Sequence, residues 1–213
     1  MADVELFWDP VCPFAWITSR WVNEVAGQRQ LDVAWRPISL RMLNEDSYEV
    51  DESLADKREG HELGLSLLRV AAAVEAGHGN DAVGRLYTAF GTAIFLSGDP
   101  ETLLAAGPEA VAERALGECD LPLGLAGAAA DESGDAGIRE STELALHRVG
   151  GDVGTPVLTF GPPDGPSFFG PVISRVPRGP EAVKLWDAVE VIAHHPSFAE
   201  LKRSLRELPE VAS

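Results

Sequence analysis

The sequence predicts an α/β protein whose small sheet is split by a long helical insertion, and three observations carry that expectation. Apolar strand-like runs fall near the two ends of the chain, at Val4–Trp8 and Leu31–Trp35 and again at Pro156–Phe160 and Ser167–Phe169. Between them, from Leu63 to Val149, the apolar spacing is helical throughout. A Cys12-Pro13 pair follows the first strand directly, at the mouth of the first helix.

The elements follow in order. Pro13 begins a helix that runs to about Ala26, with Ile17, Trp21 and Val25 on one face, and Gly27 ends it. Leu31-Asp32-Val33-Ala34-Trp35 alternates as a second strand, and the acidic stretch from Asn44 to Glu62 reads as loop running into helix. Helices are expected over Leu63–Ala76, Asp81–Phe95, Pro100–Ala105, Pro108–Leu116, Pro122–Ala130 and Gly137–Val149, divided by Gly, Pro or Asp. After the strand at Pro156–Phe160, Gly161-Pro162-Pro163-Asp164-Gly165-Pro166 is a turn into Ser167–Phe169. Gly179-Pro180-Glu181 starts a helix to about His194, and Ser197-Phe198-Ala199-Glu200 fits a capping box for a last short one. This divides the chain into a core of residues 1–43 and 150–213 and an inserted helical lid of 44–149. Strand–helix–strand, insertion, hairpin and helix is the layout of a thioredoxin-like fold.

Composition excludes several classes of function. The 213 residues carry a formal net charge of -17, which argues against nucleic acid and anionic membrane surfaces as partners. Only Lys57, Lys184 and Lys202 stand against fourteen arginines, and Ala and Gly abound, the bias of a GC-rich genome. The N-terminus lacks a basic and apolar leader, and no run approaches a membrane span. Two cysteines, Cys12 and Cys119, are no secreted disulfide framework, so a reducing cytoplasm is the expected location.

Cys12 carries the chemistry. As N-cap of a helix with Pro at its first position, it faces unpaired amides and the positive end of the helix dipole. Thiols so placed have pKa values lowered from about 8.5 to somewhere between 3.5 and 7.5, which predicts a reactive thiolate. The second element is Val153-Gly154-Thr155-Pro156-Val157. By itself Pro156 reads as an ordinary trans proline at a strand start; in thioredoxin-like folds a proline here has a cis peptide bond, cheap only before proline, which would turn the Thr155 backbone toward an extended thiol ligand. Cys12 is the expected nucleophile and Thr155-Pro156 the expected cradle.

These residues resemble a known family. Phe7-Trp8-Asp9-Pro10-Val11-Cys12-Pro13 with Trp16-Ile17-Thr18-Ser19-Arg20-Trp21 is similar to the DsbA-like cytoplasmic proteins of actinobacteria, including mycothiol-dependent nitroreductase and mycoredoxin-type reductases. The likeness continues in Ser39-Leu40, Leu43-Asn44, Val153–Pro156, Phe168-Phe169-Gly170-Pro171-Val172, Pro177-Arg178-Gly179 and Lys184-Leu185-Trp186-Asp187. It implies a thioredoxin core with a helical insertion, often dimeric, drawing electrons from mycothiol or another small thiol. By fold analogy Pro13, Phe14, Thr155, Pro156, Arg175 and Arg178 would bind that thiol, with no metal.

The chain departs from the family at Ala15, where close members carry the resolving cysteine of Cys-Pro-x-Cys. Three readings stand. Cys12 works alone by thiol exchange, with a second thiol molecule resolving the mixed disulfide. Or it activates a thiol cofactor non-covalently, as in kappa-class glutathione transferases and hydroxychromene carboxylate isomerases. Or Ala15 is an engineered trap. A non-redox small-ligand-binding protein on the same fold is the competing class.

Other residues read as structural. Cys119, between Glu118 and Asp120, is a poor nucleophile beside two acids. The five histidines show no ligand spacing, so no metal site is implied. Trp21 is expected in the core, and Arg20 as a solvated residue.

Overall fold

In the computed structural model, residues 2–97, 105–151, 153–203 and 207–211 are described. A four-stranded mixed sheet has the order β2-β1-β3-β4. Strand β1 (Val4–Trp8) pairs parallel with β2 (Val33–Pro37) and antiparallel with β3 (Val157–Phe160). Strand β4 (Ser167–Phe169) closes the far edge, antiparallel to β3. All five residues of β1 are buried, which is why it reads as a continuous apolar run rather than an alternating one. Its one charge, Glu5, is paired with Arg36 at 2.8 Å and with Arg148. The mixed α/β architecture and its four-stranded sheet are consistent with a thioredoxin-like fold.

Helix α1 (Pro13–Arg29) follows β1 and packs its apolar face against α8 (Gly179–Ala193). Trp21 is fully buried there, donating from Nε1 to Ala182 O at 2.9 Å and lying 5.4 Å from the Trp186 ring. Gly27 does not end α1. The helix runs on to Arg29, and Gln30 takes the left-handed conformation (φ 57). The Leu31 amide then reaches back to Ala26 O at 3.2 Å. That cap consumes Leu31, so β2 begins at Val33 rather than two residues earlier.

Between β2 and β3 the described residues form the helices α2 (Leu40–Leu43), α3 (Glu52–Ala55), α4 (Arg58–His78), α5 (Asn80–Gly91), α6 (Pro108–Glu118) and α7 (Asp135–Val149). Two departures from the expected helices have local causes. Helix α5 stops at Gly91 and continues as a π turn, Thr92–Leu96, where Trp16 sits on the glycine; a Cβ at Gly91 would lie 2.1 Å from the indole. The expected α-helix at Pro122–Ala130 is a 3₁₀ segment, Leu123–Ala130. Its buried residues, Ala126 and Ala129, are three apart, the 3₁₀ period, and Gly124 and Gly127 weaken the α alternative. The helix expected over 100–105 lies almost wholly outside the described residues.

The capping box at Ser197 does not form either. Pro196 and Ser197 make a turn, with the Ser197 amide on His195 Nδ1 at 3.3 Å, and residues 198–203 have no regular structure. One apolar cluster joins sheet and helical segment: Val4, Leu6, Trp8 and Leu158 share it with Leu67, Val74, Leu86, Phe90 and Leu116. The helices are thus packed into the same core that holds β1 and the start of α1.

Candidate thiol site

The chain leaves β1 at Trp8 and makes one turn before α1, and that turn builds the site. The Cys12 amide donates to Asp9 O at 3.2 Å. The Asp9 carboxylate ties down both flanks, accepting from Val11 N at 3.0 Å and from Leu40 N at 2.8 Å. Cys12 is the N-cap of α1 with Pro13 at its first position, and Sγ accepts from Ala15 N at 3.4 Å. The thiol donates to Thr155 O, also at 3.4 Å, and the Thr155–Pro156 peptide is cis. Thr155 is fixed in turn by its hydroxyl, which donates to Phe7 O at 3.1 Å.

The structure therefore brings together Cys12, Pro13, Thr155 and Pro156. Phe14 is half-buried beside them. Arg178 stands elsewhere, as N-cap of α8, with its guanidinium 3.5 Å from Glu24. Glu24 lies twelve residues down α1 from Cys12, roughly 18 Å along the axis at 1.5 Å per residue. Arg175 is exposed on the segment after β4.

The expected low thiol pKa does not hold in this closed arrangement. Cys12 is only 7% exposed, and burial pushes its thiol up to about 12. The amides of Ala15 and Phe14 oppose that shift, while the charge of Asp9 adds to it. Desolvation outweighs the helix start because the thiolate would lose its water and gain only weak N–H···S contacts. In the resting site Cys12 is a protonated donor to Thr155.

Asp9 is the ionisable group beside Cys12 to which motif reading gave no role. It is fully buried, and burial raises its carboxyl to about 7 against the pull of its two backbone amides. Helix α4 makes room for it with Gly64, where a Cβ would meet Asp9 Oδ1 at 2.8 Å. The signal was an acid directly after a fully buried strand, three residues before the cysteine.

Arg20 is likewise misread from sequence as solvated. Its guanidinium lies 4.2 Å over Trp16 and 5.9 Å from the Tyr87 ring, with Nη1 donating to Thr88 Oγ1 at 2.9 Å. Burial lowers it to about 10. Tyr87 stacks on Trp8 at 4.0 Å and is pushed up by burial as well. Cys119 caps α6 at its C-terminal end, half-buried, and is raised first by burial and then by Glu118 and Asp120. Among the described residues no group of three or more His, Cys, Asp or Glu is placed to hold a metal ion, and no helix is long and apolar enough to cross a membrane.

Comparison with known proteins bears on the family of the whole chain. The protein Rv2286c of Mycobacterium tuberculosis (strain ATCC 25618 / H37Rv), itself described as uncharacterized, is 32% identical over 211 residues, spanning 95% of this chain and 82% of its own. Residues 11–203 match the model of the Rv2466c-like family, described as mycothiol-dependent nitroreductase Rv2466c. The match begins one residue before Cys12 and takes in the whole helical segment, β3, β4 and α8. The chain therefore belongs to the Rv2466c-like family of mycothiol-dependent nitroreductases.

Proposed function

We propose that this protein is a mycothiol-dependent reductase that works through one cysteine, Cys12. The observation that carries the reading is the placement of Cys12 Sγ, 3.4 Å from the Ala15 amide and 3.4 Å from the carbonyl of Thr155, with Ala15 fully buried where a resolving thiol would stand. Ala15 removes the internal second step and leaves the first intact.

The cycle is a two-electron exchange. On opening of the site the Cys12 S–H leaves Thr155 O and loses its proton to solvent or to the leaving thiolate. The Cys12 thiolate then attacks one sulfur of a disulfide substrate; the S–S bond breaks, a Cys12 mixed disulfide forms, and the departing thiolate is protonated. A small thiolate from solution then attacks Cys12 Sγ, the mixed disulfide breaks, and the second half of the substrate leaves as a thiolate that is protonated. A second small thiolate attacks the small-thiol sulfur now bonded to Cys12, which frees the Cys12 thiolate and releases the small-thiol disulfide, so one substrate disulfide is reduced and two small thiols are oxidised. Pro13, Phe14, Thr155 and Pro156 form the walls against which the bound thiol lies, with Thr155 O released to it when Cys12 ionises. Arg178, tied to Glu24, and the exposed Arg175 take no part in this reading.

In the same proposal residues 1–43 and 150–213 are the core and 44–149 the lid. Helices α2 and α4 meet the Cys12 turn through Leu40 and Gly64, so movement of either would expose the thiol. The reading places the enzyme in a reducing cytoplasm with a small-thiol pool. Intact mass spectrometry after incubation with mycothiol disulfide tests it. One adduct per chain, absent in Cys12→Ser and removed by excess thiol, is expected; an adduct on Cys119 alone would reject the reading.

A second reading, a non-redox ligand-binding protein, is favoured by the burial that pushes Cys12 up to about 12. The same experiment separates the two, since a purely binding protein forms no adduct under mycothiol disulfide.

A further inference from the structure

Residues 207–211, far from Cys12 in the sequence, come back to the first turns of α1. Trp16 Nε1 donates to Val211 O at 3.2 Å. Two further bonds fix the segment to the stretch that follows β4. Glu210 N donates to Ser174 O at 2.7 Å, and Ser174 Oγ donates to Glu207 Oε2 at 3.3 Å. Burial alternates along the segment: Leu208 and Glu210 are exposed, Pro209 and Val211 half-buried. That is the period of an extended chain seated on one side. Val211 packs against the apolar cluster shared by sheet and helices. The family match ends at residue 203, so it does not account for these contacts.

Both anchors are close to the thiol turn. Trp16 N donates to Cys12 O at 3.0 Å, so the indole springs from the turn that Cys12 caps. The same ring is a seat for the helical segment. Gly91 packs directly on it, the Phe95 ring is 5.9 Å away, and Tyr87 meets it edge-on at 6.2 Å. Ser174, the other anchor, belongs to a stretch tied to the next turn of α1, where Thr18 Oγ1 donates to Pro171 O at 2.8 Å. Residues 207–211 therefore join the stretch after β4 to a side chain on which α5 and its π turn rest. With Val211 in place Trp16 is only 3% exposed. Lifting the segment gives the indole N–H to water and frees the outer edge of the ring, which loosens the seat of α5 over the start of α1.

We propose that residues 207–211 are an autoinhibitory strap that holds the Cys12 site closed and must lift before the thiol reacts. The inference rests on the reading of Cys12 as the reactive thiol. The closed site is what the strap holds, since Cys12 is only 7% exposed in it. The strap is also built to release. Its anchors are three hydrogen bonds and two half-buried side chains, and segments with so few buried contacts open at low free-energy cost. It supplies no chemistry of its own and sets how often the thiol is reachable.

Alkylation of Cys12 by iodoacetamide at pH 8 tests this, because it reads exposure of the thiol rather than turnover. In a chain ending at Arg203, Cys12 is expected to react about tenfold or more faster than in the full chain, with Cys119 unchanged within about twofold. Val211→Asp in the full chain should raise the Cys12 rate by about threefold or more, because a carboxylate at that half-buried position dislodges the strap without shortening the chain. Cys12 rates within about twofold of wild type in both variants overturn the proposal, and so does an equal rise at both cysteines, which marks a loosened fold. Should the shortened chain fail to fold, Val211→Asp decides by the same two criteria. Incubation with mycothiol disulfide keeps the two readings apart. No Cys12 adduct in either the full or the shortened chain rejects the thiol chemistry, while faster alkylation confined to Cys12 still supports the strap.

Discussion

The two cysteines of this chain occupy opposite ends of two helices, and the contrast separates what burial does to a thiol from what position does. Cys12 opens α1, where Ala15 N donates to its sulfur; Cys119 closes α6, between Glu118 and Asp120 at the negative end of the dipole. Both thiols are raised, and in both cases burial is the largest cause. The smaller causes differ. At Cys12 two backbone amides favour the thiolate against the charge of Asp9, whereas at Cys119 both acidic neighbours oppose it and only Arg85 helps. Burial is undone when a site opens, but the end of the helix on which a thiol sits is not. Exposure helps both thiols, but only Cys12 is then left at the helix end that favours its thiolate, even though Cys119 is the more accessible at rest.

The strongest way to break this comparison is to remove each thiol in turn. Cys12→Ser is expected to lower mycothiol-coupled reduction by at least about 100-fold, while Cys119→Ser stays within about twofold. Steady-state rates with mycothiol as reductant and glutathione disulfide as substrate decide it. Equal losses in the two variants would mean that helix position does not distinguish the thiols.

Next in size is the effect of Asp9, the acid whose charge holds the Cys12 thiol up. Its carboxyl is raised from 3.8 to about 7, so between those values the folded state holds a proton that the unfolded chain has released. Stability from this group is full below pH 4 and is lost as pH rises toward 7. The loss is on the order of 4 kcal/mol for a shift of about three pH units. Asp9→Asn removes that loss but cannot accept from both Val11 and Leu40, which returns about 1 kcal/mol. The variant should be more stable than wild type at pH 8 by roughly 2–3 kcal/mol, and less so or not at all at pH 4. Urea melts at the two pH values check the sign. In the same variant Cys12 alkylates faster at pH 8, because a neighbouring negative charge is gone; slower alkylation would make Asp9 a proton acceptor instead.

How much of this could be read from the sequence follows the range of the interactions involved. Strand β1, the Pro13 helix start and the hairpin at Gly161–Pro166 depend on neighbours in the chain, and the residues there announce them. The family blocks around Cys12 and Pro156 brought together two segments 143 residues apart before any geometry was known. What stayed hidden depends on contacts between distant segments. Whether Cys12 is lowered by its helix or raised by burial is decided by how tightly Thr155, α2 and α4 close over it. Arg20 looked solvated because nothing in Ser19-Arg20-Trp21 shows that α5 will bring Tyr87 and Thr88 against it. The end of α5 at Gly91 is legible only once Trp16 is seen resting there.

The native pH profile of alkylation sharpens the comparison further. With Cys12 raised to about 12, its reaction with iodoacetamide should still be climbing above pH 10, with no plateau near neutrality. In urea both cysteines should revert to a common midpoint near 8.5. A native plateau below pH 8 at Cys12 would show that the site spends much of its time open.

The smallest expected effect lies in the hydroxyl of Thr155. Oγ1 donates to Phe7 O at 3.1 Å and holds the carbonyl that receives the Cys12 S–H. Thr155→Val keeps the shape and deletes that bond, leaving Phe7 O inside the structure without this donor. The cost should be about 1–2 kcal/mol of stability. Its effect on Cys12 runs the other way. A looser Thr155 carbonyl is a poorer acceptor for the thiol proton, so the protonated form loses part of its advantage and alkylation at fixed pH rises by a factor of about two to five. A Cys119 rate measured in the same sample serves as the internal reference, since nothing connects it to Thr155. If both rates rise together, the variant has merely loosened the fold; a rise confined to Cys12 means that the carbonyl, and not burial alone, keeps the resting thiol protonated.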